Sequence, residues 1–130
     1  MTAGPTVQSE TALIIEDDDD IRRLLEMTIG QAGLAVESAS TGQEGLDHAQ
    51  HKAYSMITVD IGLPDINGLE IVHTLREHYT GPVVIISARS SDADRSAGLA
   101  AGADLFLTKP FRPRELRQQF ASLLQDAGVR

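Results

Sequence analysis

The feature that most limits how this chain can fold is an alternation: short, continuous apolar runs are separated by longer stretches in which apolar residues return at helical spacing. Leu13 to Ile15, Met56 to Val59, Val83 to Ile86 and Leu105 to Leu107 are continuous and mostly β-branched or bulky. A strand wet on one face alternates apolar with polar residues, whereas a continuous run fits a strand covered on both faces. Val36 to Ala39 is a weaker fifth run and reads as an edge strand. Between the runs, Ile21, Leu24, Leu25, Thr28 and Ala32 recur at helical spacing, as do Leu69, Val72 and Leu75, and then Leu116, Phe120, Leu123 and Leu124. Two further helices are expected from Gly42 to Gln50 and from Asp92 to Ala101, the latter rich in Ala.

Strands alternating with helices make βα units around a parallel sheet, and right-handed crossovers place helices on both of its faces. The expected fold is therefore an α/β doubly wound five-stranded sheet, with the flavodoxin-like strand order 2-1-3-4-5. The chain has 130 residues, 42% apolar and 23% charged, which fits one compact domain and not a disordered chain. Residues 1–11 read as a flexible leader, 12–126 as the domain and 127–130 as a C-terminal tail. The absence of Cys excludes a disulfide framework, a thiolate metal site and a cysteine nucleophile. No signal pattern or spanning apolar run is visible, so no membrane role is expected and the chain reads as soluble and cytoplasmic. A formal net charge of −8 repels phosphate backbones, which argues against nucleic acid as a direct partner.

In sheets of this kind the chemistry gathers beyond the carboxyl ends of the strands, near the point where strand order reverses. Strand one ends in Glu16 and Asp17, strand three in Asp60 and strand four in Ser87, and strand five runs into Lys109. Four strand ends thus deliver three carboxylates, a hydroxyl and an ammonium to one rim. Gathered without a cation, the carboxylates repel one another, which raises at least one proton affinity.

The segments ALIIEDDDD, ITVDIGLPDINGLEI, VVIISAR and LFLTKPF resemble, in order and spacing, those of response-regulator receiver domains of two-component signalling, over roughly residues 12 to 126. The resemblance implies a phospho-acceptor. Asp60 is then the phosphorylated aspartate, and a sensor histidine kinase or phosphotransfer protein is the donor. It also implies Mg2+ as cofactor, with Asp17 and Asp60 as direct ligands, Glu16 a ligand through water and Gly62 a backbone-carbonyl ligand. Lys109, Ser87 and the amide of Ala88 contact the phosphoryl group, and Ser87 with Phe106 forms the switch that passes the signal on. Phosphoryl transfer to a carboxylate brings negative charge toward negative charge, so positioning and neutralisation are what such a site must supply.

Three positions depart from the commonest family pattern: Glu at 16 in place of Asp, Gly at 62 in place of a shielding side chain, and Phe at 106 in place of the frequent Tyr. The Phe106 ring is expected to turn inward when Ser87 engages the phosphate. The stretch SARSSDADRSAGLAAGADLFLTKPFRPREL is most similar to receivers that precede a winged-helix DNA-binding domain, which makes the chain a stand-alone or an excised receiver. That group often pairs through the fourth helix, fifth strand and fifth helix, so a homodimer on phosphorylation is expected. Arg89, Asp94 and Arg114 are candidate contacts there, and Leu105 stands where an acidic partner is common.

Other readings fit less well. Asp18, Asp19 and Asp20 begin a helix, where short acids cap free amides. An EF-hand fails, because Arg22 stands where the loop needs Gly and Thr28 cannot serve as the bidentate acid. His48 and His51 have no third ligand nearby and read as a solvated face. A phosphatase of the haloacid-dehalogenase class needs a second Asp where Gly62 stands. A flavin-binding module lacks a phosphate-cradling loop after strand one. A degenerate receiver that serves only as an interaction module is opposed by the complete set of five residue types. Pro64 and Gly68 read as devices shaping the loop after Asp60, and Pro110 as holding a rigid turn whose preceding bond is a candidate for cis.

Overall fold

The computed structural model describes residues 10–89 and 91–128. The remaining residues of the expected leader and tail, 1–9 and 129–130, lie outside the described residues. Five strands and five helices alternate without exception: β1 (Thr11–Ile15), α1 (Asp19–Gln31), β2 (Ala35–Ala39), α2 (Gly42–His51), β3 (Met56–Asp60), α3 (Gly68–Leu75), β4 (Val83–Ser87), α4 (Asp92–Ala101), β5 (Leu105–Thr108) and α5 (Pro113–Asp126). All strands pair in parallel, in the order β2-β1-β3-β4-β5. The expected topology is the one observed, with β2 at an edge, and β1 begins two residues before its apolar run.

The pleat sends successive side chains to opposite faces, and both faces are covered. Leu13, Ile15, Ile57, Val59, Val83, Ile85 and Phe106 pack with Ile71, Val72 and Leu75 of α3. Ala12, Ile14, Met56, Val84, Ile86 and Leu107 pack with Leu25 and Ile29 of α1 and Leu116, Phe120 and Leu124 of α5. Each large aliphatic side chain buried in this way contributes roughly 1.5–3 kcal/mol, which explains why the central strands carry no polar alternation. Four of the helices open on a side-chain cap: Asp18, Thr41, Asn67 and Ser91 each accept a hydrogen bond from an amide in the first turn. α5 opens on Pro113 instead, whose missing N–H costs nothing there.

The end of the sheet opposite the acidic rim is tied by one side chain. Arg76, which follows α3, donates to the carbonyls of Gly102 (2.9 Å), Tyr79 (3.1 Å) and Gly81 (2.7 Å) and to the Asp104 carboxylate (2.9 Å). Asp104 in turn accepts from the amide of Val83, the first residue of β4 (2.9 Å). The starts of β4 and β5 are thereby held to the end of α3. Gly102 ends α4 at φ 121°, in the region that favours glycine.

Two glycines meet opposite surroundings. A Cβ on Gly68 would lie 2.6 Å from the Asp60 carbonyl oxygen and 2.6 Å from Ile61 Cα, backbone atoms that cannot give way, whereas a Cβ on Gly30 in α1 meets nothing within 4 Å. Gly30→Ala is therefore expected to raise stability by about 0.5–1 kcal/mol through the lost backbone freedom of the unfolded chain. Gly68→Ala is expected to lower it by roughly 1–3 kcal/mol, as overpacking does. Urea titrations of the two variants beside the wild type check both signs.

Candidate functional site

Parallel pairing of β1 with β3 runs through Ile15 opposite Val59, so the next residues, Glu16 and Asp60, leave the sheet side by side. The Glu16 amide still donates to the Ala39 carbonyl (3.0 Å) and the Ile61 amide to the Ile86 carbonyl (3.0 Å), which extends the ladder just past both acids. Asp60 and Ser87 are almost fully buried, and Glu16 is completely so. Asp17, one residue farther along, is exposed. One ligand oxygen from each of Glu16, Asp17 and Asp60 lies within 4.8 Å of the others.

Lys109 reaches this cluster from the end of β5. Its ammonium is 3.4 Å from Glu16 Oε1 and 3.5 Å from Asp60 Oδ1, and its amide donates to the Ser87 carbonyl (2.8 Å), joining the ends of β4 and β5. The Lys109–Pro110 peptide is cis. A single cleft is lined by Asp17, Asp18, Asp60, Ile61, Gly62, Ser87, Ala88, Arg89 and Lys109. The strand-end residues singled out in the sequence thus meet at one rim, with Glu16 beneath the cleft.

Glu16 is the least comfortable member. Its Oε2 accepts from the Asp18 amide (3.1 Å), but its buried Oε1 has no hydrogen-bond partner. Burial, and then the charge of Asp60, push its carboxyl up to about 7. Asp17 is raised as well, by desolvation and by the neighbouring Asp60 carboxyl. A buried oxygen with no hydrogen bond, within a set of three carboxylates that offer hard oxygen donors, is what a small divalent cation satisfies, so the residues fit magnesium.

The neighbours hold these groups in place. The Gly62 amide donates to Asp60 Oδ1 (3.1 Å). Ser87 Oγ accepts from the Arg89 amide (2.9 Å). Arg22 pairs with Asp19 and donates to the Glu16 carbonyl (3.1 Å), which fixes the turn after β1. Asp18 caps α1 as its sequence position implies.

Phe106 differs from its expected behaviour: the ring is already inside, 5% exposed. Gly98 makes the room, since a Cβ there would lie 2.8 Å from the ring. Arg95 covers the outer face with its guanidinium 5.4 Å from the ring centroid, and donates to Thr108 Oγ1 (3.2 Å). Leu105 also differs in part, being half-buried and packed against the core under α1 and α5. His48 lies 4.0 Å from Glu37 and from Glu44, and His51 bonds the Asp47 carbonyl; neither belongs to a metal-ligating cluster among the described residues.

Residues 12–121 match the family model of the response regulator receiver domain. The chain belongs to that family. This receiver is 36% identical over 117 residues to the transcriptional regulatory protein SrrA of Staphylococcus aureus, covering 90% of the present chain and 48% of SrrA. It therefore spans about half the length of the curated relatives it matches. Its fold superposes on a CheY-like receiver domain protein from Methanospirillum hungatei with a TM-score of 0.85 at 26% identity, covering 93% of this chain and 98% of the other. DrrB of Thermotoga maritima, an OmpR/PhoB homologue, gives 0.84 at 27% identity, covering 92% of this chain and 54% of DrrB. The separate BeF3-activated DrrB receiver domain gives 0.83 at 28%, covering 91% and 99%. Among the described residues, no helix of this receiver is long and apolar enough to cross a membrane.

Sequence reasoning missed the contacts of Arg22 with the Glu16 carbonyl and of Arg95 with Phe106 and Thr108. Only Arg22 had a usable signal, an arginine one turn after the acids it serves.

The raised carboxyl of Glu16 has a pH signature in metal-free protein. The folded chain keeps the Glu16 proton up to about 7, while the unfolded chain releases it near 4.5. The contribution to stability is complete below 4.5 and is lost as pH rises through 7. In chelator, the melting temperature of the wild type is expected to fall relative to that of Glu16→Gln across this window. Parallel curves for the two proteins would mean that Glu16 is already ionised in the fold.

Proposed function

We propose that residues 12–126 form a phospho-acceptor switch in which Asp60 takes a phosphoryl group from a sensor histidine kinase or phosphotransfer protein. The observation that carries this reading is the Lys109 ammonium seated between the buried carboxylates of Glu16 and Asp60. A carboxylate oxygen of Asp60 attacks the phosphorus of a phosphohistidine. The new P–O bond forms as the P–N bond breaks, and the imidazole leaves with the electron pair. No phosphoester is turned over, so the chain acts as a signalling acceptor.

Lys109 is poised to pair with a phosphoryl oxygen, because it already stands 3.5 Å from Asp60. Ser87 accepts from the Arg89 amide, and a hydroxyl that accepts one bond keeps its own proton to donate. The exposed Ala88 leaves its amide side of the cleft unobstructed. Asp17 and Asp60 would hold magnesium directly, Glu16 through water and Gly62 by its carbonyl. When bound, the ion supplies the charge neutralisation that phosphoryl transfer between anions requires. Phe106 serves the switch from its inward position, so phosphorylation fixes a packed ring rather than drawing in an exposed one. The DrrB receiver in its BeF3-activated form shares this fold, which supports an acyl-phosphate switch.

For output, the face built by α4, β5 and α5 is favoured. There Leu105 and Phe111 line a groove whose polar residues are Arg95, Thr108, Arg112, Glu115 and Gln119. A second copy of the chain is the proposed occupant after phosphorylation, in a cytoplasmic setting. Exposed ion pairs contribute only about 0–1 kcal/mol each, so the apolar strip of Leu105 carries more of the contact than Arg89, Asp94 or Arg114.

Incubation with a small acyl phosphate and magnesium is expected to add one phosphoryl group by intact mass. Chelator, or Asp60→Asn, should remove the shift, and a shift that survives in Asp60→Asn would falsify the assignment. Sedimentation with beryllofluoride is expected to show a dimer that Leu105→Asp weakens. A wild type that stays monomeric with and without it would rule out the second copy.

A further inference from the structure

The loop after Asp60 is held at three points. At its base the Gly68 amide donates to the Ile61 carbonyl (3.3 Å), and Gly68 has no room for a side chain against the Asp60 backbone. In its middle Leu63 is buried in the core beneath α2 and α3. At its far side Asp65 reaches another element altogether. Asp65 Oδ1 accepts from the Gly42 amide (2.8 Å) and Oδ2 from the Gln43 amide (3.0 Å), the first two residues of α2.

That helix already has a local cap. The Glu44 amide donates to Thr41 Oγ1 (3.1 Å) and the Ser40 amide to Glu44 Oε1 (3.1 Å), a reciprocal box closed within five residues. The two bonds from Asp65 therefore join the loop to the helix across more than twenty residues of sequence. The junction is tight as well: a Cβ on Gly42 would lie 3.1 Å from Ile66 Cβ and 2.8 Å from Ile71 Cδ1. Gly62, whose amide holds Asp60 Oδ1, sits between the fixed base and this tie.

We propose that Asp65 is a positioning residue for phosphoryl acceptance: by clamping the β3–α3 loop to the start of α2 it fixes Gly62 against the Asp60 carboxylate. The inference rests on the phospho-acceptor reading above. Asp65 is exposed and does not line the cleft, so its effect is on geometry and not on the reacting atoms.

Thr41 provides the control, because Thr41→Ala removes a cap from the same helix end without touching the loop. The experiment compares wild type, Asp65→Ala, Asp65→Asn and Thr41→Ala. It measures melting temperature, the magnesium concentration for half-maximal phosphorylation, and the initial rate with a small acyl phosphate at saturating magnesium. Asp65→Ala is expected to slow phosphorylation by roughly ten- to a hundredfold, up to the cost of a misplacement of about 1 Å, and to weaken the magnesium response. Asp65→Asn, which keeps one acceptor oxygen, should fall between it and wild type. Thr41→Ala should lose comparable melting temperature yet keep its rate within about twofold, as a cap that only holds the helix would. If Asp65→Ala keeps the wild-type rate, or if Thr41→Ala slows as much as Asp65→Ala, the positioning role is wrong. If the wild type takes no phosphoryl group on Asp60, the phospho-acceptor reading itself has failed, and the inference goes with it.

Discussion

Two carboxylates taken out of water at the ends of adjacent central strands are the constraint around which this domain is arranged. The register that pairs Ile15 with Val59 forces Glu16 and Asp60 together where neither is solvated. Such a pair is costly unless it gains a counter-charge and hydrogen bonds. Lys109 supplies the charge, and the amides of Asp18 and Gly62 supply the bonds. Each supplier depends in turn on an element that must be in place: α1 for Asp18, the β3–α3 loop for Gly62, and β5 aligned with β4 for Lys109. The layering of helices on both faces follows from the same demand, since only a sheet buried on both sides delivers acids to so dry a rim.

Much of this was legible in the sequence. Continuous runs such as Met56 to Val59 and Val83 to Ile86 could only be strands covered twice, and the recurrences in α1, α3 and α5 marked their buried faces. The site was legible for a related reason: a charged residue that directly follows a buried strand has few places to go, which singled out Glu16, Asp60 and Lys109. The matched family model and the topology agree with the reading of the fold, and the distances bring those three residues together.

What was not legible depends on polar side chains acting over long sequence separations. Asp65 capping α2, Arg95 lying over Phe106 and Arg76 gathering three carbonyls leave no periodic trace, because a charged side chain reads the same in a sequence whatever it touches. The inward seat of Phe106 is hidden from the sequence for a different reason. Its burial is decided by the absence of a side chain at Gly98, eight residues earlier on another element, and a missing group is hard to read as an invitation. Nor does the sequence mark Glu16 as fully enclosed, with Oε2 accepting from the Asp18 amide.

The Arg76 knot at the far end of the sheet gives the domain a mechanical polarity. β4 and β5 are anchored where they begin, by a guanidinium that binds the carbonyls of Gly81 and Gly102 at once, while their other ends carry Ser87 and Lys109. In engineering terms they are a pair of cantilevers with a common root. At the tips the only tie between the two is a main-chain one, from the Lys109 amide to the Ser87 carbonyl, where the root is held by a side chain. Phe106, one strand position beyond the first residue of β5, thus sits by the root, while Ser87 and Lys109 sit at the tips.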